Sequence, residues 1–154
     1  MLIMWYNGIY TNYSFYKRKF VIGDNIEELR YMTIQELYSE IGGDYDQAVR
    51  VLSMDKLIDK HIRKLTRNGV VERLLEAGKS MDANELFEAA HAMKGVCANL
   101  GLVTLSGMAS EIADEYRPGS PRKLSDSEVS EKLAKIGEFY AKTADGIKKY
   151  EVSL

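Results

Sequence analysis

The chain reads as an all-α protein, and its pattern predicts an antiparallel up-down four-helix bundle with one or two short N-terminal helices. Three observations carry that prediction. Cap residues recur ahead of apolar segments, as Thr33-x-x-Glu36, Asp82-x-x-Glu85 and Ser125-x-x-Glu128. The segments they open step by three and four residues, the spacing of one helix face. Few turn residues separate the later segments, and helices joined by short connections pack antiparallel.

At 154 residues the chain suits one domain with a single core. It is 45% hydrophobic and 29% charged, with a formal net charge of −2. That balance lacks the basic footprint of a protein that grips nucleic acid, so no nucleic-acid partner is expected. Cys97 is the only cysteine, which leaves no internal disulfide and fits a reducing cytosol. No apolar run approaches the roughly 18 residues of a membrane span. The opening MLIMWY is a poor signal peptide, because no basic residue precedes it and Asn7 ends it. The expectation is a cytoplasmic protein with no membrane partner.

Residues 1–31 stand apart, holding eight of the fifteen aromatics, among them Trp5, Tyr6, Tyr10, Tyr13, Phe15, Tyr16 and Phe20. Asn7-Gly8 between apolar flanks is a hairpin-turn signal, because both residues tolerate positive φ. This segment is read as an aromatic-rich extension, either packed on the domain or translated upstream of a true start at Met32. Residues 32–154 then form the bundle domain. One or two short helices are expected between residues 33 and 52. Gly42-Gly43 there is a helix-ending loop, since it lacks the preceding strand and following lysine-serine of a phosphate cradle.

Leu57, Ile58, Ile62 and Leu65 share one helix face, which Asn68-Gly69 interrupts before Val70, Leu74 and Leu75 resume it. A helix from about Ala83 to Leu100 follows. The next stripe, Leu102, Leu105, Ala109, Ile112 and Tyr116, ends at Pro118-Gly119-Ser120-Pro121. Val129, Leu133, Ile136, Tyr140, Thr143, Ile147 and Tyr150 then alternate three- and four-residue steps, the seam of a long bundle helix.

The stretch HAMKGVCANLGL, residues 91–102, poses a chemical question. Stepping about 100° per residue puts Leu86, Ala89, Ala90, Met93, Val96, Cys97 and Leu100 on one side of the helix. His91 falls roughly opposite, surrounded by Phe87, Glu88, Lys94, Gly95 and Ala98, with Asn99 towards the edge. The histidine is therefore expected on solvent, not in the core. Gly95 costs roughly 1 kcal/mol relative to alanine in a helix interior, and it clears space one turn after His91. Lys94 can place an ammonium beside an anion carried on the imidazole. An exposed nucleophile, a neighbouring cation and a cleared surface suit an anion-bearing covalent intermediate.

HAMKGVCANLG closely resembles the H-x-x-K-G-x-x-x-N-L-G signature of histidine-containing phosphotransfer (HPt) domains of bacterial phosphorelays. TIQELYSEIGGDYDQAVRVL upstream and the helix from Leu102 downstream extend the resemblance over about residues 33–150. Carried over position by position, it implies that His91 is phosphorylated, that Lys94 stabilises the phosphoryl group and that Gly95 opens the surface to a partner. Asn99, Leu100 and Gly101 complete the motif in a structural role at the helix end. It also implies a phosphocarrier rather than an enzyme, receiving a phosphoryl group from a receiver aspartate or a kinase and passing it to a response-regulator receiver. Its partners would be receiver domains and a hybrid sensor histidine kinase. No nucleotide site and no cofactor are expected on this chain, and Mg²⁺ would sit in the receiver's acidic site.

Blander readings compete with this one. His61-Ile62-Arg63-Lys64 also fits H-x-x-K, but Leu65 replaces the glycine and no N-L-G follows; His61 is read as a structural residue beside an apolar face. Glu88-x-x-His91 is half of a di-iron bundle signature, whose second half is missing because Ile58 stands three residues before His61. A helical adaptor without phosphotransfer is the remaining alternative. Cys97 is expected to face inward and be inert. Lys60, Arg63, Lys64 and Arg67 form a basic group read as a solvated face.

Overall fold

The computed structural model describes the backbone of residues 17–22 and 25–30 and the whole of residues 31–154. From residue 31 onward every regular element is a helix. These are α1 (Ile34–Ile41), α2 (Tyr45–Leu52), α3 (Asp55–Leu65), α4 (Val70–Ser80), α5 (Ala83–Asn99), α6 (Val103–Glu115) and α7 (Asp126–Ser153). Before them lies a feature absent from the sequence expectation, a two-stranded antiparallel hairpin of β1 (Lys17–Ile22) and β2 (Asn25–Arg30). Its register runs from Lys17 opposite Arg30 to Ile22 opposite Asn25, which leaves Gly23-Asp24 as the two-residue connection. A Gly-Asp pair after Phe-Val-Ile is itself a hairpin signal. The signal singled out in the sequence, Asn7-Gly8, lies outside the described residues, as do the aromatics from Trp5 to Tyr16.

Caps set the helix starts. Thr33 and Glu36 form a complete capping box at α1, and Ser125 and Glu128 form another at α7. The third expected box is only half made. Asp82 accepts a bond from the Glu85 N–H at 2.9 Å, but the Glu85 carboxylate turns instead to Arg73 on α4, at 3.2 Å. A tertiary partner has taken the side chain from the local one. Asn68-Gly69 interrupts the face where the sequence placed the break: Gly69, at φ +71°, separates α3 from α4.

The helices close on one core. α5 packs against α6, α4 and α2, while α7 packs against α4, α6, α1 and α3. Leu37, Ile58, Ile62, Leu65, Leu74 and Leu86 are fully buried, as are Met93, Leu105, Ile112, Ile136 and Ile147. Glu115, at the end of α6, is buried too, and its carboxylate accepts the backbone N–H groups of Lys123 and Leu124 at 2.6 and 2.7 Å. Those charge-assisted bonds fasten the segment containing Pro118-Gly119-Ser120-Pro121 against the helix it leaves. No described helix is long and apolar enough to cross a membrane.

The corner between α5 and α6 is the tightest contact with the N-terminal helices. Gly101 sits at φ +64°, and a Cβ there would lie 2.0 Å from the Asp44 carbonyl oxygen. The Asp44 N–H donates to the Gly101 carbonyl at 2.7 Å, and the Tyr38 hydroxyl donates to the buried Leu100 carbonyl at 2.7 Å. Gly101→Ala should therefore cost more than about 3 kcal/mol in a urea titration, since strain and backbone clash act together. Gly42 shares a positive φ of +66° but has open space around it. Gly42→Ala should cost only about 1 kcal/mol, the conformational part alone.

Candidate functional site

The residues singled out by the sequence lie along α5, whose two faces meet very different surroundings. Leu86, Ala89, Ala90, Met93 and Cys97 are buried, Leu100 follows them into the core, and Val96 is half-buried. On the opposite side His91, Gly95 and Asn99 are exposed, and Lys94 and Ala98 are half-exposed. The helix period thus separates the motif cleanly, with its apolar members inward and His91 outward.

Three neighbours shape the surroundings of His91. Phe87, one turn before it, packs partly on the core and stacks its ring on the imidazole, with centroids 5.8 Å apart and planes 23° apart. Phe87 was expected on the exposed face, and its half-burial comes from this double contact. Gly95, one turn after His91, is open: a Cβ there would meet nothing within 4 Å. Lys94 is bound to α6 through its backbone, because the Ser106 hydroxyl donates to the Lys94 carbonyl at 3.2 Å. Among the described residues no hydrogen bond or ion pair engages the His91 ring.

α6 adds a residue that sequence reasoning missed. Asp114 pairs with Arg117, whose guanidinium holds the Asp114 carboxyl below its usual range. Lys94 lowers it further, as does the Ser110 hydroxyl. The Asp114 carboxylate therefore lies within electrostatic reach of Lys94 on the neighbouring helix, with no ion pair between the two among the described residues. No sequence signal on α5 could have found this, because it depends on how α5 and α6 are staggered.

The end of the motif has mixed surroundings. The Leu100 and Gly101 carbonyls accept from Tyr38 and Asp44, as described above, and the Ala98 carbonyl accepts from the Gln47 amide at 2.8 Å. Asn99 is exposed, and its side chain makes no hydrogen bond among the described residues.

The second histidine gives a comparison on the same chain. His61 is exposed on α3, beside the apolar face formed by buried Ile58, Ile62 and Leu65. Exposure alone does not distinguish the two histidines; their surroundings do. The residue one turn after His61 is Leu65, committed to the core, where His91 has open Gly95. In the basic group nearby, Arg63 pairs with Asp59 and Arg67 with Glu151, each at 2.6 Å, while Lys60 and Lys64 are exposed. No group of three or more His, Cys, Asp or Glu among the described residues could hold a metal ion.

The model of the Hpt domain family matches residues 58–139, more than half of the chain, from within α3 to within α7. That span is narrower than the resemblance over residues 33–150 and leaves α1 and α2 outside it. No curated protein and no solved structure matches the chain.

The core side of α5 makes a prediction of its own. Burial pushes the Cys97 thiol up to about 12. Burial raises the Tyr140 hydroxyl to about 12 as well, helped by the Glu72 carboxylate that it hydrogen-bonds. Both groups hold their protons more tightly folded than unfolded, so their contribution is fully present below the unfolded values, about 8.5 for Cys and 10 for Tyr. It is lost as pH rises towards the folded ones, because the unfolded chain deprotonates first. Stability measured by urea unfolding should decline from about pH 9 upward. A thiol reagent at pH 8 should modify Cys97 only on unfolding.

Proposed function

As the chain belongs to the Hpt domain family, we propose that it is a phosphocarrier with His91 as the residue that takes the phosphoryl group. Hpt domains serve histidine phosphotransfer in two-component phosphorelays, working with receiver domains and kinases. The observation that carries the assignment to His91 is its exposure on α5 one turn before the half-exposed Lys94 and the open Gly95. His61 has no such surroundings.

In this reading the donor is an aspartyl phosphate of a receiver domain or a phosphorylated kinase. From the receiver's aspartyl phosphate, an imidazole nitrogen of His91 attacks phosphorus with its lone pair as the bond to the donor oxygen breaks, and the carboxylate leaves with that electron pair. From a phosphohistidine of a kinase the bond broken is phosphorus–nitrogen, and the donor imidazole leaves with the pair. The return step forms a new phosphorus–oxygen bond to the aspartate of a response regulator and releases the imidazole. Most of the catalytic effect is positioning and charge neutralisation, and Lys94 supplies a cation for the phosphoryl oxygens. Gly95 leaves room for the partner's loops. Leu100 and Gly101 at the helix end keep α5 in place, and Asn99 is the exposed member of the motif there.

No nucleotide site or cofactor is assigned to this chain, and Mg²⁺ belongs to the receiver's acidic site. We assign residues 32–154 to the phosphotransfer unit and residues 1–31 to an extension outside it. We further read α4–α7 as an antiparallel up-down bundle, capped by α1 and α2. Contacts linking α4 to α5, α5 to α6, α6 to α7 and α7 back to α4 support that arrangement, as do short connections. Receiver and kinase partners imply a cytoplasmic setting. A helical adaptor without transfer is less well supported, because His91, Lys94 and Gly95 are all present and share one side of α5.

A phosphorylated receiver should place one phosphoryl group on the chain, in a bond labile to acid and comparatively stable to base, as a phosphoramidate is. His91→Gln should abolish labelling while changing folding stability by less than about 0.5 kcal/mol, because the position is exposed. Lys94→Ala should slow transfer and His61→Gln should leave it unchanged. Acid-stable label, or label that survives His91→Gln, would exclude the assignment. Gly95→Gln separates site from scaffold. It should raise stability by up to about 1 kcal/mol through helix propensity while cutting the transfer rate about tenfold or more by obstructing approach.

A further inference from the structure

His91 meets a requirement that a core residue does not face. An exposed imidazole on a helix can adopt several rotamers, yet its reacting nitrogen must meet phosphorus within a narrow range of angle and distance. A hydrogen bond is the usual way to hold such a ring, but a partner bonded to a nitrogen occupies the atom that has to react or fixes where its proton sits. Among the described residues neither His91 nitrogen has such a partner. The ring contact present is with Phe87.

Resting on the reading of His91 as the phosphoryl carrier, we propose that Phe87 is a positioning residue. Its ring holds the imidazole by stacking and leaves both nitrogens free. Side chains on a helix lean towards its N-terminus, so the imidazole of His91 lies over the turn that carries Phe87. With planes 23° apart and centroids 5.8 Å apart, the rings form an offset stack rather than an edge-to-face pair. The lone pair of an imidazole nitrogen lies in the plane of the ring, so a neighbour on the face does not compete for it. Phe87 is also anchored, because it packs against the buried core as well as against His91.

The two flanks of the histidine therefore differ. Towards the start of α5 the aromatic ring fills the space beside the imidazole. Towards the end of α5 the space over Gly95 is empty. The donor's phosphoryl group is thereby directed to the ring edge on the Gly95 side, within reach of Lys94. The covalent step is the one already written, and Phe87 forms and breaks no bond in it.

The test uses the full chain and a receiver domain loaded with acetyl phosphate. Single-turnover transfer to the parent, Phe87→Leu and Phe87→Tyr is followed over a range of receiver concentrations, which separates the saturating rate from the affinity. Phe87→Leu keeps an apolar side chain against the core and removes the flat ring. It should lower the saturating rate about two- to tenfold, the range that an aromatic pair is worth, with affinity held within about twofold. Phe87→Tyr should restore the rate to within about twofold. A second measurement needs no variant: the parent should show nuclear Overhauser contacts between the Phe87 and His91 ring protons. An unchanged rate in Phe87→Leu overturns the proposal, and so does a loss that falls wholly on affinity or is not restored by tyrosine. Should Phe87→Leu fail to fold, absence of the ring contacts in the parent overturns it, and their presence together with rescue by Phe87→Tyr upholds it. Failure of the phosphocarrier reading is distinguishable, because the parent itself would then take no label.

Discussion

The last turn of α5 leaves carbonyl groups that its own helix cannot satisfy, and the way they find partners governs much of the structure. Gln47 of α2 donates to the Ala98 carbonyl, Tyr38 of α1 to Leu100, and the Asp44 backbone to Gly101. Two of the three donors lie on the short N-terminal helices and the third, Asp44, is the residue that caps α2. The contact is close enough that Gly101 has no room for a side chain, and its positive φ turns the chain directly into α6. The corner therefore fixes α5 at one end, while the buried face from Leu86 to Cys97 fixes its rotation. Once both are set, the direction of His91 is no longer free.

That constraint lets the proposed nucleophile and a stable fold share one helix. The nucleophile of a phosphocarrier has to enter another protein's active site, so it belongs on the surface, where it contributes little packing energy. Rigidity then has to come from elsewhere. The inward side of α5 supplies it through the core, Ser106 supplies it by binding the Lys94 backbone, and Phe87 carries it outward to the imidazole. Cys97, six residues after His91, shows the opposite arrangement: full burial raises its thiol and keeps it from solvent. Burial, more than the identity of the element, separates the proposed nucleophile from the cysteine on the same helix.

Charge near the site is less simple than one histidine with one cation. Lys94 is within electrostatic reach of Asp114, which is paired more strongly with Arg117. An arriving phosphoryl group would compete with that carboxylate for the ammonium. The exposed pairs among the helices, such as Lys132 with Glu111 and Arg73 with Glu85, contribute little stability individually. Their geometry matters more for register, as Glu85 shows by leaving its capping box for Arg73.

The sequence by itself determined the helices after residue 31, the face of α5 that carries His91, and the motif on that face. All three follow from local physics: the 3.6-residue period sorts apolar from polar positions, and caps mark the helix starts at Thr33, Asp82 and Ser125. The resemblance at HAMKGVCANLG added the chemistry, and the family match over residues 58–139 supports it. What the sequence could not decide depends on elements distant along the chain. It could not show that α1 and α2 close the end of α5, because Tyr38 and Leu100 are 62 residues apart. Nor could it show that Glu85 would choose Arg73, that Asp114 would approach Lys94, or that Phe87 would lie against the core and the imidazole together. The strands at Lys17–Ile22 and Asn25–Arg30 carry only a weak local signal, the Gly23-Asp24 pair after Phe20-Val21-Ile22. Periodicity reports which way a residue faces along its own helix; what it meets there is set by the stagger and rotation of neighbouring helices, which only tertiary packing fixes.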